Sequence, residues 1–524
     1  MAEIVDSMEK VWSTQKQFVL LRWKTTKLTN RQMKQRSFSL FVLAILIACS
    51  LSLAANPYAA YTKGLPFAMP QLMPPKIPNN QVLLSDFGAD HTGQKLCTEA
   101  FARAIDALTA KGGGHLVVPR GVWLTGPVVL KSNIDLHLEK GAVVQFAADE
   151  SLYPLIMTSF EGLDTRRCQS PLSANGATNI SITGDGVIDG NGQYWRPVKK
   201  SKVTDSHWKQ LLKQPGSMEM KKGYWVPSEG YAKGEQGANM NVPAAQTEEE
   251  WQAVKRFLRP VMVSLVNCKN VLLQGVIFQN SPAWNLHPLM CENIIIDQVL
   301  VRNPAYAQNG DALDLESCRN ALIINSRFDA GDDGICIKSG KDKDGRRRGR
   351  PCENVVVDGC TVFAGHGGFV VGSEMSGGVK NISVKNCQFV GTDVGLRFKS
   401  TRGRGGIVEN IYIDGISMTD IATYALTFNM YYGGKSVAEV LEEGGEQEAP
   451  EAMPVTEETP IFRNIDIRNV VCHHAGFAME FNGLPEMPID GIHLKDITIL
   501  AEHDAVFNYS KNITKENVNI IIEK

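Results

Sequence analysis

The 524-residue chain has no surplus of charge of either sign, since 54 Lys and Arg residues face 56 Asp and Glu residues and the net charge is −2. No global field would draw a nucleic acid or an acidic polymer to it, and we expect no nucleic-acid partner. Any preference for an anionic ligand must therefore come from cations placed locally. Long helical patterns are few, while glycine is abundant at 47 residues, which favours an all-β fold.

The chain also lacks an apolar run long enough for an ordinary membrane span. An apolar run extends from Phe38 to about Leu53, shorter than the ~20 residues that a spanning helix needs. Lys34 and Arg36 precede it, and residues 52–54 (Ser-Leu-Ala) resemble a cleavage site. This pattern is typical of a signal peptide. We expect an exported protein, periplasmic or extracellular, with no stable membrane span after processing; a single membrane anchor is the alternative.

Two details of the N-terminus stay open. Residues 46–49 (Leu-Ile-Ala-Cys) resemble a bacterial lipoprotein box, so a lipid anchor at Cys49 is an alternative to ordinary cleavage. The apolar stretch continues past Cys49, which favours ordinary cleavage. Met33 is an alternative start, because residues 1–32 resemble neither a signal nor a domain.

The eleven cysteines show no Cys/His spacing that suggests zinc. An oxidising compartment would permit disulfides. However, four cysteines each stand two residues before an asparagine in the repeat described below. They are Cys268, Cys291, Cys318 and Cys352. This shared position predicts a column of small buried side chains rather than a bridged framework.

One helix is predicted near the N-terminus, from Thr98 to Lys111. Its apolar stripe is formed by Phe101, Ala104, Ile105 and Leu108, and the glycines at 112–114 end it. The strands that follow begin at Leu116 and continue to the C-terminus. We therefore expect this helix to cap the start of a long β-rich region.

The β-rich region repeats a unit in which an asparagine opens an alternating apolar strand. The asparagines are Asn179, Asn270, Asn293, Asn320, Asn354, Asn381, Asn410 and Asn464. From Asn270 onward the successive positions differ by 23, 27, 34, 27, 29 and 54 residues. A period of this size, built from short strands and polar turns, predicts a β-solenoid in which the asparagines stack between coils. A β-sandwich is the alternative, but its strands need not share this asparagine.

Longer intervals between these asparagines locate insertions, which in a solenoid tend to rim the binding face. The predicted insertions lie near residues 194–251, 341–351 and 433–460. We assign residues 1–54 to an N-terminal extension and signal peptide, 55–85 to a Pro-rich lead-in and 86–524 to one solenoid domain.

Four short polar motifs recur at intervals close to one coil. They are residues 309–311 (Asn-Gly-Asp), 331–333 (Gly-Asp-Asp), 365–367 (Gly-His-Gly) and 397–399 (Arg-Phe-Lys). On successive coils, about 4.8 Å apart, they would stack on one face. Asp332 and Asp333 are adjacent and would diverge on a regular strand. Both reach the same face only if the chain bends between Gly331 and Gly334.

This set of side chains suits one chemistry. Glycoside hydrolysis needs a protonated carboxylic acid for the leaving oxygen and a carboxylate that activates water or attacks the sugar. Clustered carboxylates raise one another's proton affinity, which supplies the acid. Arg and Lys bind a sugar carboxylate. The motifs together predict hydrolysis of a uronic-acid glycoside.

The four motifs, in this order on a solenoid pattern, resemble glycoside hydrolase family 28, the polygalacturonases and their relatives. The resemblance runs from about Phe87, where Phe87–Asp90 opens the pattern, to the C-terminal region. It implies a single-stranded right-handed parallel β-helix of the pectin-lyase-like type, and inverting hydrolysis with no metal or other cofactor. Gly310 and Phe398 differ from the usual Thr and Ile, but both should point away from the site.

The resemblance implies a role for each motif residue. Asp332 would be the general acid, Asp311 and Asp333 would position and deprotonate the attacking water, and His366 would support these carboxylates. Substrate contacts are expected at Arg397, Lys399, Asn309, Trp284 and His287. A buried structural role is the alternative for Trp284 and His287.

We therefore expect a secreted inverting hydrolase of α-galacturonosyl linkages, with a pectic oligo- or polysaccharide as its partner and a monomer as its state. Inversion predicts catalytic carboxyl groups about 6.5–9.5 Å apart. Insertions that block one end of the groove would favour release of terminal sugars. The alternatives are a rhamnogalacturonan-type hydrolase of the same family, a calcium-dependent lyase on a similar fold, and a non-catalytic carbohydrate-binding β-helix.

Overall fold

The computed structural model describes residues 56–239, 241–433 and 451–523. The predicted signal peptide with Cys49, and part of the insertion predicted at 433–460, lie outside these ranges. The chain divides into two units between Ala59 and Ala60, and the fold below is that of the second unit. Within the described ranges, no helix combines the length and the apolar character that a membrane crossing requires.

Short parallel strands stack coil upon coil on three faces around an apolar interior. The first face contains Gln81–Leu83, Gly114–Val118, Ile134–Leu138, Thr178–Gly184, Lys269–Gln274, Glu292–Asp297, Arg319–Ile324 and Cys352–Asp358. The second contains Gly121–Thr125, Ala142–Phe146, Val187–Asp189, Ile277–Gln279, Leu300–Arg302, Arg327–Asp329 and Thr361–Phe363. The third contains Val128–Val129, Leu172–Asn175, Val263–Val266, Leu286–Leu289, Leu313–Glu316, Asp333–Lys338, Gly367–Val371 and Leu396–Lys399.

Toward the C-terminus, longer strands run through more than one face without interruption. They are Val379–Val390, Ile407–Asn429, Ile461–Asn482, Ile489–Ala501 and Ser510–Ile522, and the short strand Val506–Asn508 pairs with the end of Ile461–Asn482. All of these pairings are parallel. The fold is the all-β parallel β-helix that the sequence predicts.

An uninterrupted asparagine ladder links the coils. The side-chain amide of each asparagine donates to the amide oxygen of the one on the preceding coil, from Asn179 onto Asn133 at 2.9 Å to Asn410 onto Asn381 at 3.3 Å. The intermediate members are Asn270, Asn293, Asn320, Asn354 and Asn381, and Asn464 continues the ladder. Every member has a positive φ, which asparagine adopts more readily than most residues. The predicted asparagine stacking is confirmed.

The predicted N-terminal helix extends from Thr98 to Ala110, with Lys111 at its C-terminal cap. Its apolar stripe is buried as expected, and the helix packs on the first strands of the first face. The earliest of these strands, Gln81–Leu83, lies within the segment assigned to the lead-in. The β-helix therefore begins within residues 55–85, which the Pro-rich composition assigned to a separate lead-in.

The cysteine column is present on the inner side of the coils. All ten described cysteines are buried and unpaired. The Cys268 amide donates to the Cys291 sulfur at 3.3 Å, and the Cys291 amide donates to the Cys318 sulfur at 3.4 Å. These cysteines fill space between coils and bridge nothing.

Insertions interrupt the coils near the third face. A hairpin pairs Leu155–Phe160 with Leu163–Cys168. The insertion predicted at 194–251 holds the antiparallel strands Val198–Lys199, Met218–Lys221, Tyr224–Val226, Ala238–Asn239 and Val242–Pro243, and the helices Asp205–Leu211, Glu229–Gln236 and Glu248–Ala253. The insertion predicted at 341–351 is largely the helix Asp342–Arg348. Short 3-10 turns lie at Ala59–Thr62, Leu84–Phe87, Glu150–Leu152, Gly192–Tyr194 and Lys200–Lys202.

Candidate active site

A cavity of about 570 Å³ opens on the third face, where consecutive coils present the predicted motifs. Asp311 lies just before the strand Leu313–Glu316, and Asp333 begins the next strand, Asp333–Lys338. His366 immediately precedes Gly367–Val371, and Lys399 ends Leu396–Lys399. All four line the cavity. The spacing of about one coil therefore brings these side chains together.

The chain bends at Gly331 and Asp332, and this bend lets Asp332 and Asp333 share the cavity. Both flanking glycines are needed for close packing. A Cβ on Gly331 would lie 2.5 Å from the Pro304 carbonyl oxygen, and one on Gly334 would lie 2.5 Å from Cγ1 of Val362. The bend that the sequence required is present.

One oxygen each of Asp311, Asp332 and Asp333 lies within 4.8 Å of the others. This is shorter than the separation of about 6.5–9.5 Å expected above. The reason is geometric: two of the residues are adjacent in sequence, and the third is on the neighbouring coil, about 4.8 Å away. Three oxygens this close could also surround a cation. However, Lys399 already places an ammonium 2.7 Å from Asp333, so we assign the cluster to acid–base chemistry.

Two cations hold Asp333 from the following coils. Lys399 Nζ donates to one carboxylate oxygen at 2.7 Å, and Arg397 Nη1 donates to the other at 3.4 Å. Both side chains are buried, and both lie against the Tyr432 ring, at 4.9 Å for Lys399 and 5.5 Å for Arg397. Tyr432 also lines the cavity and had no sequence signal.

The carboxylates differ in their affinity for protons. Burial raises the pKa of Asp311 well above its ordinary value, and the charges of Asp314 and Asp332 raise it further. Burial also raises the pKa of Asp332, but its hydrogen-bonded neighbour His366 and the ammonium groups of Lys399 and Lys202 outweigh burial and hold that pKa well below its ordinary value. Of these two carboxyl groups, Asp311 therefore retains its proton more strongly.

His366 lies between a carboxylate and a lysine that sequence reasoning missed. Its Nδ1 is 3.0 Å from Asp332 Oδ1, and its Nε2 is 2.9 Å from Lys202 Nζ. Asp393 Oδ2 lies farther from Nε2, at 3.8 Å. Lys202 belongs to the insertion at 194–251, where spacing along the repeat gives no information about which side chain reaches the site.

Two of the three other predicted substrate contacts line the cavity. Asn309 accepts a hydrogen bond from Arg259 at 2.8 Å and donates to Glu161 at 3.1 Å, so both ends of its amide are held. Trp284 is 2 % exposed, stacks on Phe160 at 5.9 Å and also lines the cavity.

The structure does not bring His287 to the cavity. Its side chain is 1 % exposed, and Nε2 lies 2.8 Å from a Glu316 oxygen. Arg348 binds the other Glu316 oxygen at 2.8 Å. The His287 ring packs edge-on against Trp284 at 5.2 Å. The buried alternative considered for His287 fits this position, since the residue supports Trp284 from below.

Three further cations from loops line the cavity. Arg402 is bound by Glu486 at 2.7 and 2.8 Å, and Arg404 is bound by Asp342. Lys341 is different: it is 7 % exposed, and no hydrogen bond or ion pair joins its ammonium to another residue in the described ranges. An unpaired buried charge is unfavourable unless a ligand compensates it.

Similarity to known proteins agrees with this geometry. The chain is 32 % identical to the exopolygalacturonase of Thermotoga maritima, and the two structures align with a TM-score of 0.70 over 86 % of this chain and 94 % of that one. Residues 244–443 match the sequence profile of glycosyl hydrolases family 28. The chain belongs to glycoside hydrolase family 28.

Two further relatives have lower sequence identity. The chain is 28 % identical over 426 residues to a "Probable polygalacturonase" of Vitis vinifera, covering 79 % of this chain and 73 % of that protein. It is also 28 % identical to an exo-poly-alpha-D-galacturonosidase of Dickeya chrysanthemi, covering 68 % of this chain and 58 % of that protein. This family 28 protein is thus a glycoside hydrolase, as its motifs predict.

Proposed function

We propose that this family 28 hydrolase cleaves α-galacturonosyl linkages in pectic polysaccharide. The observation that carries the proposal is one cavity in which Asp311, Asp332 and Asp333 cluster beside Arg397 and Lys399. The carboxylates supply acid and base, and the cations can bind a uronate carboxylate. The relatives named polygalacturonase support the same substrate class.

In this proposal Asp332 protonates the leaving oxygen. A galacturonate carboxylate bound by Arg397 and Lys399 would offset the charge of Lys399, which helps to hold the pKa of Asp332 down. Its pKa would rise on substrate binding, and Asp311 lies close enough to share the proton. Substrate binding would thereby allow Asp332 to be protonated and to act as the acid, although its low pKa otherwise disfavours protonation.

We further propose that water, rather than a carboxylate, attacks the sugar, so that configuration inverts. The nearest carboxylate oxygens are closer together than inverting enzymes usually place them, so the proposal rests on how Asp333 and Asp311 are held and not on that distance. Asp333 is held by Lys399 and Arg397 on both oxygens, which reduces its nucleophilicity and fixes its orientation. Asp311 is fully buried and favours its protonated form, which is a poor nucleophile. Asp333 is better placed to deprotonate a water molecule, and Asp311 to orient it by a hydrogen bond.

Action from the chain end is supported by what encloses the cavity. The walls include Glu161 from the hairpin, Lys199 and Asn241 from the insertion at 194–251, and Lys341 from the loop before Asp342–Arg348. Such walls restrict a groove that a long polymer would otherwise cross. The relative of 32 % identity is an exopolygalacturonase. The signal-peptide pattern at the N-terminus supports export, and a monomeric state remains part of the proposal.

A rhamnogalacturonan-type substrate fits less well. Its neutral rhamnose alternates with galacturonate, whereas this cavity is lined by Lys341 in addition to Lys399. Carboxylates on two successive galacturonates could bind both groups of cations, one at Lys341 and the other at Arg397 and Lys399. A non-catalytic carbohydrate-binding role would not require three carboxyl groups to converge.

The test is digestion of polygalacturonate, rhamnogalacturonan and methyl-esterified pectin, with products resolved over time. We expect galacturonate or short galacturonides from polygalacturonate from the first minutes. An early ladder of long oligomers would overturn chain-end action. An unsaturated uronate would overturn hydrolysis in favour of elimination, and release only from rhamnogalacturonan would overturn the substrate.

A further inference from the structure

The insertion at 194–251 is anchored firmly to the coils next to the cavity. Arg196 is 1 % exposed and donates to the Ser281 carbonyl at 2.9 Å and to Asn280 at 2.8 Å. Beyond Lys200–Lys202, the helix Asp205–Leu211 begins at Thr204, whose side chain accepts from the His207 amide. These contacts fix both ends of the 3-10 turn that carries Lys202.

Lys202 determines where the proton of His366 lies. A lysine ammonium can only donate, so the His366 Nε2 at 2.9 Å must accept with its lone pair. The ring proton must then be on Nδ1, from which it donates to Asp332 Oδ1 at 3.0 Å. While Lys202 is charged, His366 is therefore a neutral imidazole of one tautomer.

Without Lys202, the surroundings of His366 would favour a charged ring. Asp332 lies at one ring nitrogen, and Asp393 is 3.8 Å from the other. Arg397 meets the His366 carbonyl at 3.2 Å and not the ring. Two carboxylates facing the ring would stabilise an imidazolium, and Lys202 is the group that opposes it.

We propose that Lys202 is a positioning residue that keeps His366 neutral, so that Asp332 can carry the proton it donates to the leaving oxygen. This rests on the proposed function, since it explains how Asp332 serves as the acid. If His366 were charged, its effect in lowering the pKa of Asp332 would exceed those of Lys399 and Lys202. By keeping His366 neutral, Lys202 removes the larger effect on the pKa of Asp332. Lys202 adds only the effect of its own charge, which is more distant from Asp332.

The test compares Lys202→Met with Lys202→Arg and with Lys200→Met. Lys200 lies on the same turn but is 4.0 Å from Asp205 and serves as the matched control. We expect Lys202→Met to lower kcat about 10- to 100-fold with KM changed less than about threefold, as for impaired acid catalysis. The alkaline limb of its kcat profile should move to lower pH, because a general acid with a lower pKa loses its proton earlier. Lys202→Arg should recover most of the rate.

A second readout does not depend on substrate. In protein labelled with ¹⁵N-histidine, we expect the wild-type His366 ring to be protonated on Nδ1 alone, and the Lys202→Met ring to gain a second proton near neutral pH. Wild-type His366 protonated on Nε2, or a Lys202→Met variant with unchanged kcat and pH profile, would overturn the proposal. If wild type hydrolyses no galacturonide while the ring shows the expected tautomer, the proposed function fails and the assignment of Lys202 to His366 stands.

Discussion

Asp332 and Asp333 are consecutive residues whose side chains enter the same cavity. A bend at Gly331 places Asp332 against His366, and the strand that begins at Asp333 directs the next side chain to Lys399. On a regular strand the two would point to opposite faces. The chain thus separates two neighbouring carboxylates electrostatically, one bound by an imidazole and the other by cations, while keeping them within 4.8 Å.

We expect Asp332→Asn to lower kcat on polygalacturonate about 10²- to 10⁴-fold, because the amide cannot donate the proton to the leaving oxygen. Circular dichroism and the Tm should stay close to wild type. Asp329→Asn is the control and should retain activity, because Asp329 ends the strand Arg327–Asp329 on the second face. Full activity in Asp332→Asn would remove the general acid from this position.

Lys341→Met should selectively weaken binding of substrates with free carboxylates. Lys341 lines the cavity, and within the described residues no hydrogen bond or ion pair holds its ammonium, although its charge lowers the pKa of Glu374. A carboxylate of a second sugar would gain a charge-assisted bond there. We expect KM for unesterified oligogalacturonates to rise about 10-fold, equivalent to about 1.4 kcal/mol. KM for fully methyl-esterified oligomers should hardly change.

The exposed Lys343, two residues along the same insertion, offers a matched control. Lys343→Met should behave as wild type on both substrates. Equal effects of Lys341→Met on esterified and unesterified oligomers would show that the lysine does not read the carboxylate.

Asp311→Asn should make the protein more stable at neutral pH while impairing catalysis. The pKa of Asp311 is raised in the folded protein, so its contribution to stability is present below the unfolded value of about 3.9 and is lost as pH rises through the folded value. Asparagine stays uncharged throughout. We expect the variant's Tm to exceed that of wild type by a few degrees at pH 7, and the difference to shrink toward pH 4.

Asp185→Asn, at an exposed position, should leave the Tm nearly unchanged at both pH values. If the Tm difference between Asp311→Asn and wild type grew as the pH fell, the result would contradict a raised pKa for Asp311.

Asn320→Ala should destabilise the middle of the β-helix. Asn320 donates to Asn293 and accepts from Asn354, each at 3.1 Å, and its φ is +59°. Loss of two buried amide bonds and strain at a positive φ together cost about 2–4 kcal/mol. Equilibrium urea unfolding measures this. Asn320→Gly removes the backbone strain but does not restore the two hydrogen bonds, so it should destabilise the protein less than Asn320→Ala. An equal decrease in the free energy of unfolding for both variants would show that backbone strain contributes nothing.

The fold and the centre of the site were predictable because both follow from the repeat. Asn293 and Asn320 mark successive coils in the sequence, and that period alone places Asp311 and Asp332 side by side. The need for a bend at Gly331 also follows from strand geometry. No knowledge of side-chain contacts was required for these steps.

The rest of the site comes from segments that have no period. Lys341 and Tyr432 line the cavity, and Lys202 contacts His366 at its edge. Lys202 and Lys341 come from insertions and Tyr432 follows a long strand, and their sequence positions do not indicate where their side chains point. His287 shows the converse. Its place near Trp284 suggested a sugar contact, but Glu316 on the next coil binds it beneath the surface.

The central claim is that clustered carboxylates direct water onto an α-galacturonoside. Proton NMR of the first product released from a short oligogalacturonate, recorded before the anomers equilibrate, tests it most directly. Inversion by water predicts that the newly formed reducing end is initially the β anomer. An α anomer released first would contradict the account, because it would require a covalent intermediate on one of the carboxylates.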